Sequence, residues 1–403
     1  MLNSPVKTVT FVAMTDSYAK WAAGLFEQAP DTWAASFFAI EHQQAPSQRQ
    51  LVDALAHTPK AASAVTSIAL KDLMKLWQEH TPDVIVAAGP GPFMLGLRAR
   101  LDRTPWGRKI ALVGGSPGIA SHLSTEALRF RLALDLLLVA SINERDTVAS
   151  RMHYAFSFTP IIGLSTLPYI EGLQSRSIDA GQTQEFVFAA QPDIPQDRES
   201  RLQLLKSLLL LKRRNGLDSI SIKLRAQVGE AQTHTEAHSY QDLFNELITR
   251  DEASRNEIRF VYGSMRDTLE NPSTILATVS SSAAIEAIAL GNPALIISDF
   301  GVNEENANKV FEDSGLVHRL DEIMLPYFEK ADPTWKQRNY FHPVAENDWI
   351  SKVSNLTHRT SPALSAKFSR QQLLKNAISE ALRTDFPQHS ASLFRAYRAL
   401  FKR

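Results

Sequence analysis

Residues 274–299, TILATVSSSAAIEAIALGNPALIISD, hold the side chains best suited to chemistry. Ser280, Ser281 and Ser282 stand between an apolar, partly β-branched run and a run of good helix formers. The first turn of a helix has unpaired N–H groups and the positive end of the dipole, so serines there suit a phosphate. Glu286 lies four residues beyond Ser282, on the same helical side one turn on, where a carboxylate can accept from the hydroxyls of a ribose. The same residues also read as an ordinary capped helix with a solvated glutamate. Gly291 and Pro293 close the helix before a second apolar run that stops at Asp299.

Two further clusters could act with the serines. Lys223 and Arg225 fall at the end of an apolar run, SISIKL, where cations can neutralise phosphates. His234, Glu236 and His238 follow at alternate positions, and on a strand alternate residues share a side. That spacing admits a metal reading, a polar loop capped at Ser239, or phosphate and sugar contacts from His234 and Glu236. Asp16 sits just past the first apolar strand, where it can serve as a general base or simply cap the next helix. Asp135, Glu144 and His122 are alternative bases near other loops.

The elements that must position these groups follow from periodicity. Strands are expected at 9–14, 36–41, 83–88, 109–113, 135–141 and 160–164, alternating with helices at 18–28, 48–56, 61–80, 93–101, 124–133 and from 142. Such alternation argues for a doubly wound parallel sheet. Glycine loops, with Gly91 in one and Gly115, Ser116 and Gly118 in the other, end two of these strands. They lack the G-x-G-x-x-G order of a dinucleotide fingerprint and read equally as tight turns. A linker is expected at 170–184. Strands then recur at 185–190, 219–224, 257–262, 275–279 and 294–298, with helices at 196–214, 240–249, 283–290 and 304–314. A stretch rich in aromatics and proline, 326–347, reads as an ordered excursion, and 390–403 as a basic helix.

Serines, a Glu-Ala pair and Gly-x-Pro before an apolar strand resemble the donor-binding region of GT-B glycosyltransferases. UDP-N-acetylglucosamine 2-epimerases and bacterial capsule glycosyltransferases carry related versions. The pieces TDSYAKW, GGSPGI and KLRAQVGEAQTH also resemble an uncharacterised family of actinobacterial glycosyltransferase-like proteins. The resemblance implies an α/β fold of two Rossmann-like domains facing across a cleft. It implies an acceptor domain at 1–175, a donor domain at 185–364 and terminal helices at 365–403 that cross back to the first domain. It places Ser280–Ser282 on the phosphates, Glu286 on the ribose, and Asp299, Asn303 and Glu304 near the donor sugar. The loops at Gly91 and at Gly115, Ser116 and Gly118 then line the acceptor side. His342-Pro343 is similar to a His-Pro motif of capsule sialyltransferases but follows the serines instead of preceding them, so its role does not transfer.

The chain has 403 residues, enough for two α/β domains, with 44% hydrophobic and 21% charged residues. Its 43 basic and 43 acidic residues balance, so no nucleic-acid partner is expected. The absence of cysteine excludes disulfides and thiolate catalysis. No signal peptide or membrane span is legible, so a cytoplasmic protein is expected, with a peripheral membrane contact by the basic C-terminal helix as a competing use of that segment. The expected activity is metal-independent sugar transfer from a nucleotide sugar to a glycan, lipid or small-molecule hydroxyl, in cell-envelope or surface polysaccharide synthesis. No cofactor is expected, the nucleotide sugar being a substrate. An epimerase or hydrolase on the same fold, or a two-domain binding protein, are the alternatives.

Overall fold

The structure is a computed structural model. It describes residues 6–42, 45–119, 123–177, 184–192, 194–224, 236–249, 255–356, 358 and 368. The chain divides into two units: Met1–Tyr169 with His342–Arg403, and Ile170–Phe341.

The first unit runs β1 (Lys7–Ala13), α1 (Asp16–Gln28), β2 (Trp33–Ile40), α2 (Gln48–Leu55), α3 (Pro59–Ala64), β3 (Val65–Ile68) and α4 (Leu70–Glu79). It continues with β4 (Val84–Ala88), α5 (Gly91–Leu101), β5 (Ala111–Gly115), α6 (Thr125–Arg131), β6 (Leu136–Val139), α7 (Ile142–Ala155) and β7 (Ile161–Leu164). The strands form one seven-stranded parallel sheet in the order β3-β2-β1-β4-β5-β6-β7. Strands covered on both faces read as continuous apolar runs, and β1 is one: Val9, Phe11 and Ala13 pack in one core, Val12 and Met14 in the other.

The second unit runs β8 (Glu185–Ala189), α8 (Arg198–Arg214), β9 (Ile220–Lys223), α9 (Tyr240–Ile248), β10 (Ile258–Val261) and α10 (Met265–Thr268). Next come β11 (Thr274–Thr278), α11 (Ala283–Leu290), β12 (Ala294–Ile297), β13 (Val317–His318) and α12 (Pro333–Arg338). Its six parallel strands are ordered β10-β9-β8-β11-β12-β13. A last helix, α13 (Trp349–Asn355), belongs to the first unit, where Trp349 and Val353 are buried in the core beside β1 and α1.

Both sheets have a topological switch point. Strand order reverses between β1 and β4 in the first and between β8 and β11 in the second. In open parallel sheets the crevice outside the carboxyl ends at such a point is where ligands bind.

Two expected helices are corrected. Residues 61–80 are not one helix: Pro59 starts α3, the β-branched run Val65–Ile68 pairs with Phe37–Ile40 as an edge strand, and α4 follows. β3 is half exposed, so it carries no burial pattern to announce it. Residues 304–314 form turns and a short 3-10 helix at Lys309–Phe311, because Asn303, Asn306 and Asn308 satisfy backbone groups locally. The return to the first unit comes at His342, earlier than 365: Asp348 Oδ1 accepts from the Leu164 N–H (2.7 Å) and Trp349 meets Trp33 edge-on at 6.0 Å. The terminal helices expected at 365–403 lie outside the described residues, apart from Phe368, which is buried in the first unit.

Candidate functional site

β11, buried along its whole length, delivers the serines to the carboxyl edge of the second sheet at its switch point. There the Thr278 hydroxyl donates to Ala189 O at the end of β8 (3.0 Å) and accepts from the Ser281 N–H (3.2 Å). Gln191, in the loop after β8, accepts from the Ser280 N–H through Oε1 (3.0 Å). The two strand ends are thus tied together by side chains on both sides of the switch.

The serine turn commits its backbone donors internally. Ser281 Oγ accepts from Ala283 N–H (3.2 Å), Ser281 O from Ala284 N–H (3.1 Å) and Ser282 O from Ile285 N–H (3.0 Å). The Ser282 side chain does not cap the helix. Among the described residues the hydroxyls of Ser280 and Ser282 have no internal partner, so they, with the positive end of α11, are what the turn offers an anion. Glu286 lies in α11 and is 3% exposed, which corrects the solvated reading. Gly291 ends the helix with φ +85°, and a Cβ there would stand 2.5 Å from Arg176 O.

The cations and acids expected around the serines are drawn into the scaffold. Lys223 closes β9, is buried, and donates to Gly263 O (2.6 Å) and Leu224 O (3.3 Å). Glu236 accepts from Arg201 Nη1 at 2.6 Å. Arg201, in α8 and fully buried, also donates to His238 O (2.5 Å), Pro195 O (2.8 Å), Gln191 O (3.1 Å) and Pro192 O, and lies 4.6 Å over the Tyr240 ring. Arg201 therefore fixes the Gln191 loop and the segment before α9, and Glu236 serves that hub. Burial pushes the Tyr240 phenol well above its ordinary pKa, partly opposed by Arg201. Asp299 Oδ2 accepts from the Leu320 N–H (2.9 Å) and Asn303 Oδ1 from the Asn306 N–H (2.7 Å), so both brace loops beyond β12. Arg225 and His234 lie outside the described residues.

In the first unit Asp16 is the first residue of α1, half buried at the carboxyl end of central strand β1. Gly91 opens α5 on the other side of that switch point. Gly115 is the last residue of β5, not a loop residue: a Cβ there would come within 2.5 Å of the Trp21 ring. Ser116 and Gly118 follow it, half buried, and Pro117 O accepts from the Tyr169 hydroxyl (3.1 Å). Two of the alternative bases are structural. Asp135 stands at the amino end of β6, where Oδ2 accepts from the Leu112 N–H (2.8 Å). Glu144 is buried and accepts from the Ala140 N–H (2.9 Å), while Ser141 caps its own N–H (3.1 Å). His122 lies outside the described residues.

Sequence reasoning missed Thr278, Gln191 and Arg201. Thr278 and Gln191 sit at strand ends whose adjacency only the sheet order reveals, and Arg201 reads in sequence as one more charge on a long helix.

Two parallel Rossmann-like sheets define the GT-B fold, and solved proteins of that fold resemble this chain. The UDP-GlcNAc 2-epimerase of Methanocaldococcus jannaschii, in complex with UDP-GlcNAc and UDP, superposes with a TM-score of 0.53 at 11% identity, over 86% of this chain and 99% of that one. S. aureus MnaA, in a co-structure with UDP, gives 0.50 at 12% identity, over 89% and 91%. No curated protein matches the sequence. Over residues 9–356 the chain matches the family described as "Putative glycosyltransferase (DUF6716)", and it belongs to that family.

Proposed function

We propose that the protein moves a sugar from a nucleotide-diphosphate sugar, UDP-linked, to an acceptor hydroxyl. The observation that carries this reading is the serine turn at the switch point of the second sheet, with the Ser280 and Ser282 hydroxyls uncommitted beside the start of α11. Membership of a glycosyltransferase family and UDP in both solved relatives support it. The two hydroxyls and the helix end take the diphosphate, and Glu286 takes the ribose. In the transfer the acceptor oxygen attacks the anomeric carbon, the bond from that carbon to the phosphate oxygen breaks, and the nucleoside diphosphate leaves. The acceptor proton goes to Asp16, assigned as base from its place at the end of β1. Metal independence, an acceptor in envelope or surface polysaccharide, a cytoplasmic location and a peripheral membrane contact by residues 390–403 are parts of the same proposal.

Thermal shift and turnover with UDP, CMP and GDP and their sugars test it, with and without EDTA. UDP raises the midpoint in a concentration-dependent way. The rise is lost in Ser280→Ala/Ser282→Ala protein, and EDTA leaves it unchanged. Absence of any nucleotide effect overturns the donor site. Because the solved relatives include 2-epimerases, the same assay follows the donor without acceptor: a donor epimerised or hydrolysed alone replaces transfer with that activity.

A further inference from the structure

Arg131 is the last residue of α6 and only 5% exposed, yet no carboxylate pairs with it among the described residues. Its Nη1 donates to Ala127 O, one turn back in its own helix (2.9 Å), and its buried Nε has no partner. A buried guanidinium left this way is expensive, because its donors and charge have lost water without full replacement. Burial accordingly pulls its pKa down, and the Tyr18 phenol, which interacts with it electrostatically, is pushed up by its own burial.

The surroundings suit a negatively charged guest. Arg131 lies against the start of α5: a Cβ on Gly91 would stand 2.8 Å from Nη1 and 2.6 Å from Phe130 Cβ, so only glycine lets the guanidinium come so close. α5 is eleven residues long and no side chain caps its N-terminus, which leaves the positive end of its dipole beside the cation. Both features sit at the β1/β4 switch point, with Tyr18 contributed by the helix that Asp16 opens.

We propose that Gly91 at the start of α5, Arg131 and Tyr18 form an oxyanion site, and that the acceptor carries a phosphate or carboxylate group which it holds. Charge-assisted bonds from Nε and the remaining guanidinium donors fix the anion, and the helix end adds to the field. The inference rests on reading the first unit as the acceptor half. Anion binding is therefore measured without donor, so that the two readings can fail separately.

The test is titration of the intact protein with inorganic phosphate and, separately, acetate, following the Arg131 Nε–H resonance by NMR. The resonance is assigned by its loss in Arg131→Gln. One or both probes shift it saturably and raise the thermal midpoint. Arg131→Gln abolishes that rise while keeping UDP binding, and Arg131→Lys retains part of it. The stronger probe says which acid group the acceptor carries. With acceptors that differ only in that group, Arg131→Gln raises KM for the anionic one by about ten- to a hundredfold and leaves the neutral one alone. An Arg131 Nε–H unmoved by both probes overturns the site. So does an Arg131→Gln protein that handles anionic and neutral acceptors as the wild type does.

Discussion

At the residue scale, the side chains near the second switch point separate into those the scaffold engages and those it leaves uncommitted. Lys223, Glu236, Asp299 and Asn303 are each engaged with the scaffold, whereas Ser280 and Ser282 keep uncommitted hydroxyls. Asp16→Asn should cut turnover by about a hundredfold or more while leaving UDP binding unchanged, since a general base contributes about 10²–10⁴. Equal loss of binding and turnover would remove Asp16 from the base role. Gly115→Ala forces a Cβ onto the Trp21 ring and should cost about 1–3 kcal/mol in denaturant unfolding, with Trp21 fluorescence reporting the shift. The position of the serine turn before α11 and the stop at Gly291 were legible in sequence because a helix's start and end are set within a few residues. The engagement of Lys223 with Gly263 was not, since it depends on β9 and β10 being neighbours.

At the element scale, the strands were the most readable part, because burial on both faces writes an uninterrupted apolar run. β3 escaped because an edge strand faces solvent and its four residues blend into the helices beside it. β13, two residues long, has no pattern to read. The loops around the serine turn depend on α8 through Arg201, so their order is set from a different element. Arg201→Met should leave Glu236 and four carbonyls without their donor. We expect a loss of about 3 kcal/mol in stability and weaker UDP binding, measured by calorimetry. Unchanged UDP affinity would separate the Gln191 loop from the site.

At the scale of the whole molecule, the two-sheet plan was visible in the repeated strand–helix alternation, and the sheet orders were not, since they depend on pairings between distant residues. One property is shared by both units. Tyr18 in the first, and Tyr240 and Tyr327 in the second, all have phenols raised by burial above the usual 10.0. Folding favours the neutral form of each, so their contribution is complete below the ordinary phenol pKa and disappears as pH climbs through the higher folded values. A spectrophotometric titration should therefore show these tyrosines ionising later in the native protein than after denaturation, with stability falling on the alkaline side. Coincident native and denatured titrations would contradict it.

The first unit is interrupted in the covalent chain, its core being finished by Trp349 and Val353 after Ile170–Phe341 has been threaded out. Vectorial synthesis on the ribosome thus presents the later-encoded unit as an unbroken segment that can close upon emergence. The amino-terminal sheet waits with an uncovered apolar slot beside Trp33 until the segment from His342 onward arrives. Nascent chains stalled before residue 342 should be strong clients for a trigger-type holdase, and those stalled well beyond α13 weak ones.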